Sequence, residues 1–179
     1  MLKLTPDDTL LGLLAAHSQH GYQLLEAFRD PQQLGRVWYV STSQLYAVLK
    51  RLEQQELIAG HQVECADAPT RTEYTLTEAG HERLRAWLDE PSPSPSLRRI
   101  RVEFLSRLYI AELLGSPTSP IIACQRAACE RRREGLVVKR ADPPQGVGDL
   151  ALEMVIAQLE AIIGWLDDCD AALGSPSDD

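Results

Sequence analysis

The side chains best suited to binding chemistry lie in one stretch, VSTSQLYAVLKRLE at positions 40–53. Its polar groups upstream of Glu53 are all neutral or basic, although the whole chain carries a formal net charge of -8. Hydroxyl and cationic side chains donate hydrogen bonds to phosphate oxygens, which a neighbouring carboxylate would repel. We therefore interpret the stretch as a surface for an anionic partner. Its candidate contact residues are Ser41, Thr42, Ser43, Tyr46, Lys50 and Arg51.

The spacing within this stretch predicts an α-helix that exposes those groups. Ser41 and Gln44 match an S-x-x-Q capping box, in which the two side chains satisfy free amides at a helix start. Apolar residues then recur every three or four positions, as a single buried stripe requires. The stripe consists of Leu45, Val48, Leu49 and Leu52. The opposite face of the helix carries the hydroxyl and basic side chains.

The surrounding segments predict a small domain that holds this helix in place. Two apolar helical segments precede it, at residues 7–17 and 21–30. Two segments rich in Thr, Tyr and Val follow it, LIAGHQVEC and TRTEYTLT, and predict a β-hairpin with residues 66–69 at its tip. Thr77 is a good N-cap for a further helix. This layout within residues 1–90 is typical of a winged helix-turn-helix.

These residues resemble the PadR-type family of bacterial transcriptional regulators. The resemblance is carried by GYQL at 21–24, TSQLYAVLKRLEQQELI at 42–58 and EYTLTEAG at 73–80. It implies a transcription factor, usually a repressor, that in some cases is released by a small aromatic or cationic effector. The second half of the chain resembles the family's helical dimerisation region in its layout only.

A DNA duplex would match the chemistry of the helix. An α-helix fits the major groove, where its N-terminal residues meet base edges. Small hydroxyl side chains at 41–43 permit close approach, and Tyr46 can contact a phosphate or a thymine methyl. Lys50 and Arg51 would contact phosphates and release counterions. From the hairpin, which forms the wing, Arg71 would contact the flanking backbone.

Several alternatives stay open for these candidates. The family's wing usually has a glycine and then an Arg-Lys pair before the tyrosine, whereas this chain has DAPTRTEY. Arg71 is therefore the remaining cation there, and Glu73 occupies a position where another is expected. Arg51 could instead pair with a local acid, and Tyr46 could lie partly in the core. The acidic net charge also leaves open a winged-helix adaptor that binds protein and not DNA.

The second half predicts a homodimer. The segment DEPSPSPS at 89–96 is a semi-stiff linker, so we expect a DNA-binding domain at 1–90, a linker at 91–96 and a helical dimerisation domain at 97–175. The last helix has an apolar seam with alternating spacings of three and four. The seam either packs within the chain or, as we prefer, forms the dimer interface. Its residues are Leu152, Val155, Leu159, Ile162, Leu166, Cys169 and Leu173.

The predicted fold class is therefore mainly α. An N-terminal winged helix-turn-helix of three helices plus a β-hairpin wing precedes an α-helical dimerisation domain with a coiled-coil-like C-terminal helix. Such a dimer would hold two recognition helices about 34 Å apart, as adjacent major grooves of a palindromic operator require.

The sequence argues against several other classes of protein. Its apolar runs are too short to span a bilayer, and its N-terminus lacks the features of a secretory signal, so we expect a soluble cytoplasmic protein. We find no catalytic motif, metal-ligand spacing or cofactor-binding loop, which predicts a regulator and not an enzyme. Trp38, Trp87 and Trp165 either line an effector pocket or serve only in packing.

Overall fold

The structure, a computed structural model, describes residues 4–65, 68–141 and 143–173. Packing divides the chain into two compact units, Met1–Asp89 with Leu105–Ser116 and Glu90–Phe104 with Pro117–Asp179. The units differ from the segments expected from the sequence because residues 105–116 pack with the first unit. The domain boundaries at 1–90, 91–96 and 97–175 stay a prediction.

The described chain is mainly helical. Its elements are, in order, α1 (Asp7–Ala16), β1 (Gln19–His20), α2 (Gly21–Ala27), α3 (Thr42–Gln54), β2 (Ile58–Cys65), β3 (Ala68–Leu76), α4 (Glu78–Leu88), α5 (Leu97–Arg99), a π-helical turn (Ile100–Phe104), α6 (Leu105–Leu113), α7 (Ser119–Val137) and α8 (Val147–Leu173). The first unit has the three helices and β-hairpin wing of a winged helix-turn-helix, so the predicted fold class is confirmed.

The wing hairpin, β2 with β3, is part of a three-stranded antiparallel sheet in the order β1-β3-β2. Strands β2 and β3 form the predicted hairpin, with Gly60 opposite Tyr74 and Ile58 opposite Leu76. Part of its predicted tip, residues 66–67, lies outside the described residues. Strand β1 is the third strand of this sheet, and its Gln19 pairs with Tyr74 of β3. It brings the start of α2 next to β3, an arrangement that matters for the site below.

The core of the first unit buries one face of α3 and leaves the opposite face exposed. The predicted stripe of leucines and Val48 on α3 is buried, together with leucines of α1 and α2. Burial of such side chains contributes about 1.5–3 kcal/mol each, so this face fixes the rotation of the helix about its axis. Helix α4 begins as predicted, because the Thr77 hydroxyl accepts a hydrogen bond from the Gly80 amide at 3.1 Å.

In the second unit, α8 packs along α7. The inward side of α8 includes Ile156, Leu159, Ile162 and Leu166, all of which are buried. Across the residues that the structure describes, no helix combines the length and the apolar character that crossing a membrane would require.

Candidate nucleic-acid interface

The exposed face of α3 presents the predicted contact groups to solvent. Thr42, Ser43, Tyr46 and Lys50 are all exposed, and spacings of three and four put them on one side of the helix. The first turn contains no acidic residue. Within the described chain, Lys50 forms no ion pair. The face is therefore a row of hydrogen-bond donors and one available cation, next to a helix N-terminus that itself favours anions.

Local hydrogen bonds define the start of α3, as the sequence predicts. The Ser41 hydroxyl accepts from the Gln44 amide at 3.3 Å, and the Gln44 side-chain oxygen accepts from the Ser41 amide at 2.9 Å. The Ser41 and Ser43 hydroxyls lie 3.1 Å apart. Because Ser41 is occupied by capping, it fixes the first turn, while Thr42 and Ser43 carry the exposed hydroxyls.

Arg51 differs from the other candidates because it is already paired. Its Nη2 donates to both carboxylate oxygens of Asp7 at 2.7 Å, and its Nε donates to Oδ1 at 3.1 Å. Asp7 lies in the first turn of α1 and is nearly buried. The neighbouring Asp8 accepts from Arg83 of α4 at 2.7 Å. Arg51 thus joins α3 to α1, and the alternative of pairing with a nearby acid describes it better than an exposed phosphate contact.

We expect removal of Arg51 to cost more stability than removal of Asp7. The Arg51→Met change leaves a carboxylate whose side chain is only 7% exposed without its cation, for a loss of about 2–3 kcal/mol in unfolding free energy. The Asp7→Asn change leaves a guanidinium that is 41% exposed and can hydrate, for a loss of about 1 kcal/mol.

Urea unfolding of the two variants and of the double variant measures this asymmetry. Arg85→Met, which removes an exposed arginine from α4, is the matched control and should change stability by less than about 0.5 kcal/mol. Equal, small losses for Arg51→Met and Asp7→Asn would mean that the pair does not secure α3.

Tyr46 lies over the start of α2. A Cβ atom at Gly21 would come within 2.7 Å of Tyr46 Cε1, so the absence of a side chain at Gly21 is what lets the aromatic ring approach. The ring is 47% exposed, which excludes a core position. Tyr46, Arg71 and Tyr74 line one open cleft with residues at the start of α2. The structure therefore brings the wing candidate Arg71 to the same surface as α3.

Sequence reasoning missed two exposed aromatic residues near this surface. Tyr22 shares a spacing of three with Leu25 and Phe28, which suggested an apolar helical face, yet Tyr22 is 59% exposed. Tyr39 is 96% exposed and precedes the cap of α3 by two residues. An aromatic residue just upstream of a helix cap is a signal that the sequence contained, whereas the exposure of Tyr22 follows from packing alone.

The three tryptophans all take part in packing. The Trp38 indole donates to the Ser106 hydroxyl at 2.7 Å. The Arg107 guanidinium lies 5.4 Å from the Trp87 ring centre. Trp165 meets Phe104 edge to face at 5.9 Å. These contacts agree with the packing alternative that the sequence left open.

The sequence predicts a dimer interface along a seam of α8. The central part of this seam instead faces α7 of the same chain. Leu159, Ile162 and Leu166 are buried within one protomer, and their neighbours along the seam are partly buried. The coiled-coil spacing of the seam is real, but the protomer itself supplies the packing partner. A second copy would have to use another face of α8.

A family model and a curated relative match this chain. Residues 10–86 match the transcriptional regulator PadR-like family. The negative transcriptional regulator PadR of Bacillus subtilis (strain 168) is 30% identical over 105 residues, which cover 59% of this chain and 56% of that relative. The matched part is thus little more than half of the relative's length.

Solved structures are similar over most of the chain. Bacillus subtilis PadR in complex with operator DNA has a TM-score of 0.47 at 22% identity and covers 93% of this chain and 98% of that one. The same protein in complex with p-coumaric acid has a TM-score of 0.43 at 21% identity and covers 96% of each chain. The family's regulatory description agrees with the prediction of a regulator and not an enzyme. Residues 10–86 of the chain therefore carry its similarity to the transcriptional regulator PadR-like family.

Proposed function

We propose that the protein binds a palindromic DNA operator as a homodimer and represses transcription. The observation that carries this proposal is the donor-rich face of α3, which has no acidic residue from Thr42 to Leu52 and is held in place by the buried stripe behind it. Thr42, Ser43 and Tyr46 would meet bases and phosphates, and Lys50 would contact a phosphate. Arg71 would contact the backbone from the wing. Ser41 and Arg51 support these contacts by capping and anchoring the helix.

The family supports the regulatory part of the proposal. The Bacillus subtilis relative is named as a negative regulator, which favours repression. A regulator of this kind acts where the DNA lies, which in a bacterium is the cytoplasm. By the same resemblance we propose a small aromatic or cationic effector that releases the DNA. Quenching of tryptophan fluorescence by a panel of phenolic acids and planar cations would test for such a ligand.

The exposed side of α8 supports a homodimer. Leu150, Met154, Ala157 and Ala161 follow one another at spacings of four, three and four, and all are exposed. Trp165 and Val147 extend this apolar stripe at its two ends. Spacings of three and four are those of a helix that pairs with another helix. We therefore assign the interface with a second copy to this outward stripe, which α7 leaves uncovered.

Selection of bound duplexes from a random DNA pool tests the function directly. We expect an inverted repeat with half-sites about ten base pairs apart, as two recognition helices on one face of the duplex require. On the selected duplex, Lys50→Ala should weaken binding about tenfold and lower the magnitude of the salt slope by about one ion. Lys139→Ala is the matched control, since Lys139 is an exposed lysine of the second unit.

The outcomes separate DNA binding from the adaptor alternative. Equal salt slopes for Lys50→Ala and Lys139→Ala would remove Lys50 from the interface. Recovery of no duplex at low salt by a folded dimer, with and without effectors, would favour a winged-helix adaptor that binds protein.

A further inference from the structure

A cleft of about 430 Å³ opens at the surface between the start of α2, helix α3 and strand β3. The cleft is unusual for its chemistry, because five of its lining side chains can donate hydrogen bonds through a phenol, an imidazole or a guanidinium. These side chains are His20, Tyr22, Tyr46, Arg71 and Tyr74.

Two of these side chains, His20 and Tyr74, each keep a proton that they can donate. The Nδ1 atom of His20 accepts a hydrogen bond from the Gln23 amide at 3.3 Å as part of a capping box. The neutral ring therefore carries its proton on Nε2, which remains available to donate. Burial raises the pKa of Tyr74, and the nearby Glu53 and Tyr46 raise it further. The Tyr74 phenol consequently keeps its proton well above neutral pH.

The nearby carboxylates, Glu53 among them, lie beside the cleft and do not line it. No carboxylate is among its lining residues within the described chain. Glu73 is not among the lining residues, although Arg71, Thr72 and Tyr74 around it are. Glu73 had stood out in the sequence as an acid where the wing should be basic. It pairs with His20 of β1, so this acid lies close to the cleft without lining it.

We propose that this cleft binds one phosphodiester group of the DNA backbone. The inference rests on the proposed DNA-binding function and adds His20, Tyr22 and Tyr74 to its contact residues. A phosphodiester offers only acceptor oxygens and one negative charge, which matches a site made of donors and Arg71. The cleft opens at the protein surface, so the sugars on either side of the bound phosphate can extend along it.

The same geometry assigns a purpose to β1. By pairing Gln19 with Tyr74 and His20 with Glu73, this short strand fixes His20 and the start of α2 next to β3. A phosphate in the cleft would then be held from α2, α3 and the wing at once. Contacts from three separate elements to one phosphate fix the position of the duplex along the protein more precisely than a contact from the wing alone.

A scan of neutral phosphate substitutions tests the proposal. A single methylphosphonate is placed at each position of the duplex selected by the wild-type protein. We expect one position at which the substitution weakens wild-type binding about tenfold, the effect of losing hydrogen bonds to a charged group. For Tyr22→Phe and Arg71→Gln, which have already lost one contact to that phosphate, the same substitution should weaken binding less than about threefold.

Matched control variants remove a phenol hydroxyl and a guanidinium at positions outside the cleft. Tyr39→Phe deletes an exposed hydroxyl outside the cleft, and Arg85→Gln deletes an exposed cation on α4. Both controls should keep the full sensitivity of the wild type at the identified phosphate. Circular dichroism and thermal melts of the four variants should be similar, because the altered groups in the cleft are exposed and make no core contacts.

The possible results distinguish this inference from the proposed function. If the wild-type protein retains no duplex, the proposed function and the inference fail together. If it binds DNA but every variant is as sensitive as the wild type at every position, DNA binding stands and the phosphate cleft is wrong. Calorimetric titration with inorganic phosphate that saturates below about 1 mM would instead identify a small-anion site and would also overturn the proposal.

Discussion

The Gly21→Ala variant is expected to fold like the wild type and to bind DNA about a hundredfold more weakly. The new Cβ atom would lie 2.7 Å from Tyr46 Cε1 and 2.9 Å from its Cζ and hydroxyl oxygen, closer than carbon atoms pack. All three atoms belong to the far end of a half-exposed side chain, so rotation of Tyr46 relieves the overlap without moving the backbone. Alanine also favours a helix start more than glycine does. Stability should therefore change little.

The loss of DNA affinity follows from where the Tyr46 ring would go. Displaced from Gly21, the phenol leaves both the α3 face and the phosphate cleft. A hydrogen bond to a charged group contributes about 1.5 kcal/mol or more, so the loss of two corresponds to a factor of at least about a hundred. Fluorescence anisotropy with the selected duplex measures the affinity, and urea unfolding measures the stability.

Two controls make this result specific to the ring. Gly135→Ala makes the same chemical change in α7, where a Cβ atom would meet nothing within 4 Å, and it should leave DNA binding unchanged. The double variant Gly21→Ala with Tyr46→Ala should bind no worse than Tyr46→Ala alone. Wild-type affinity in a folded Gly21→Ala protein would mean that the orientation of Tyr46 has no part in binding.

Features of α3 were predictable because they depend on neighbouring residues. The capping box joins residues three apart, and the buried stripe repeats every three or four residues, so both are local consequences of helical geometry. The hairpin and the Thr77 cap were predictable for the same reason. The predicted DNA-binding residues of α3 follow from these elements, since burial of one face leaves the other exposed.

Features that join distant segments could not be obtained in this way. Arg51 pairs with Asp7 across 44 positions, and the sequence offers several acids of equal merit. Strand β1 has two residues and carries no periodic signal, yet it brings His20 to the wing. The phosphate cleft depends on that pairing and on the approach of Tyr46 to Gly21. Its donors come from four elements, β1, α2, α3 and β3, that no motif connects.

The α8 helix illustrates a different kind of ambiguity. An apolar seam with spacings of three and four requires a packing partner, but the spacing is identical whether that partner is α7 or a second chain. Burial of Leu159 and Leu166 against the same protomer assigns the inner seam to the fold. The outer stripe has the same spacing with smaller residues, among them Ala157 and Ala161, and so has a weaker signal in the sequence. Both stripes had to be seen on the folded helix before a dimer interface could be proposed on the outer one.

Replacing Met154 with glutamate is expected to convert the dimer to a monomer. Met154 is 56% exposed in the protomer, so the monomer tolerates a carboxylate there. In a two-fold symmetric interface, each substitution appears twice, and each buried, unpaired charge costs about 3–5 kcal/mol. Dimerisation should therefore weaken by more than about a thousandfold.

Loss of the dimer should also remove palindrome recognition while leaving each half-site contact intact. Sedimentation equilibrium gives the dimer dissociation constant, and titrations with the full palindrome and with an isolated half-site give the DNA affinities. We expect Met154→Glu to bind the palindrome no better than the half-site, because the second recognition helix is no longer tethered. Ala123→Glu adds the same charge at an exposed position of α7, outside the outer stripe, and should remain dimeric. A Met154→Glu protein that stays dimeric would place the interface on another surface, whereas a monomer with unchanged palindrome affinity would show that one recognition helix suffices.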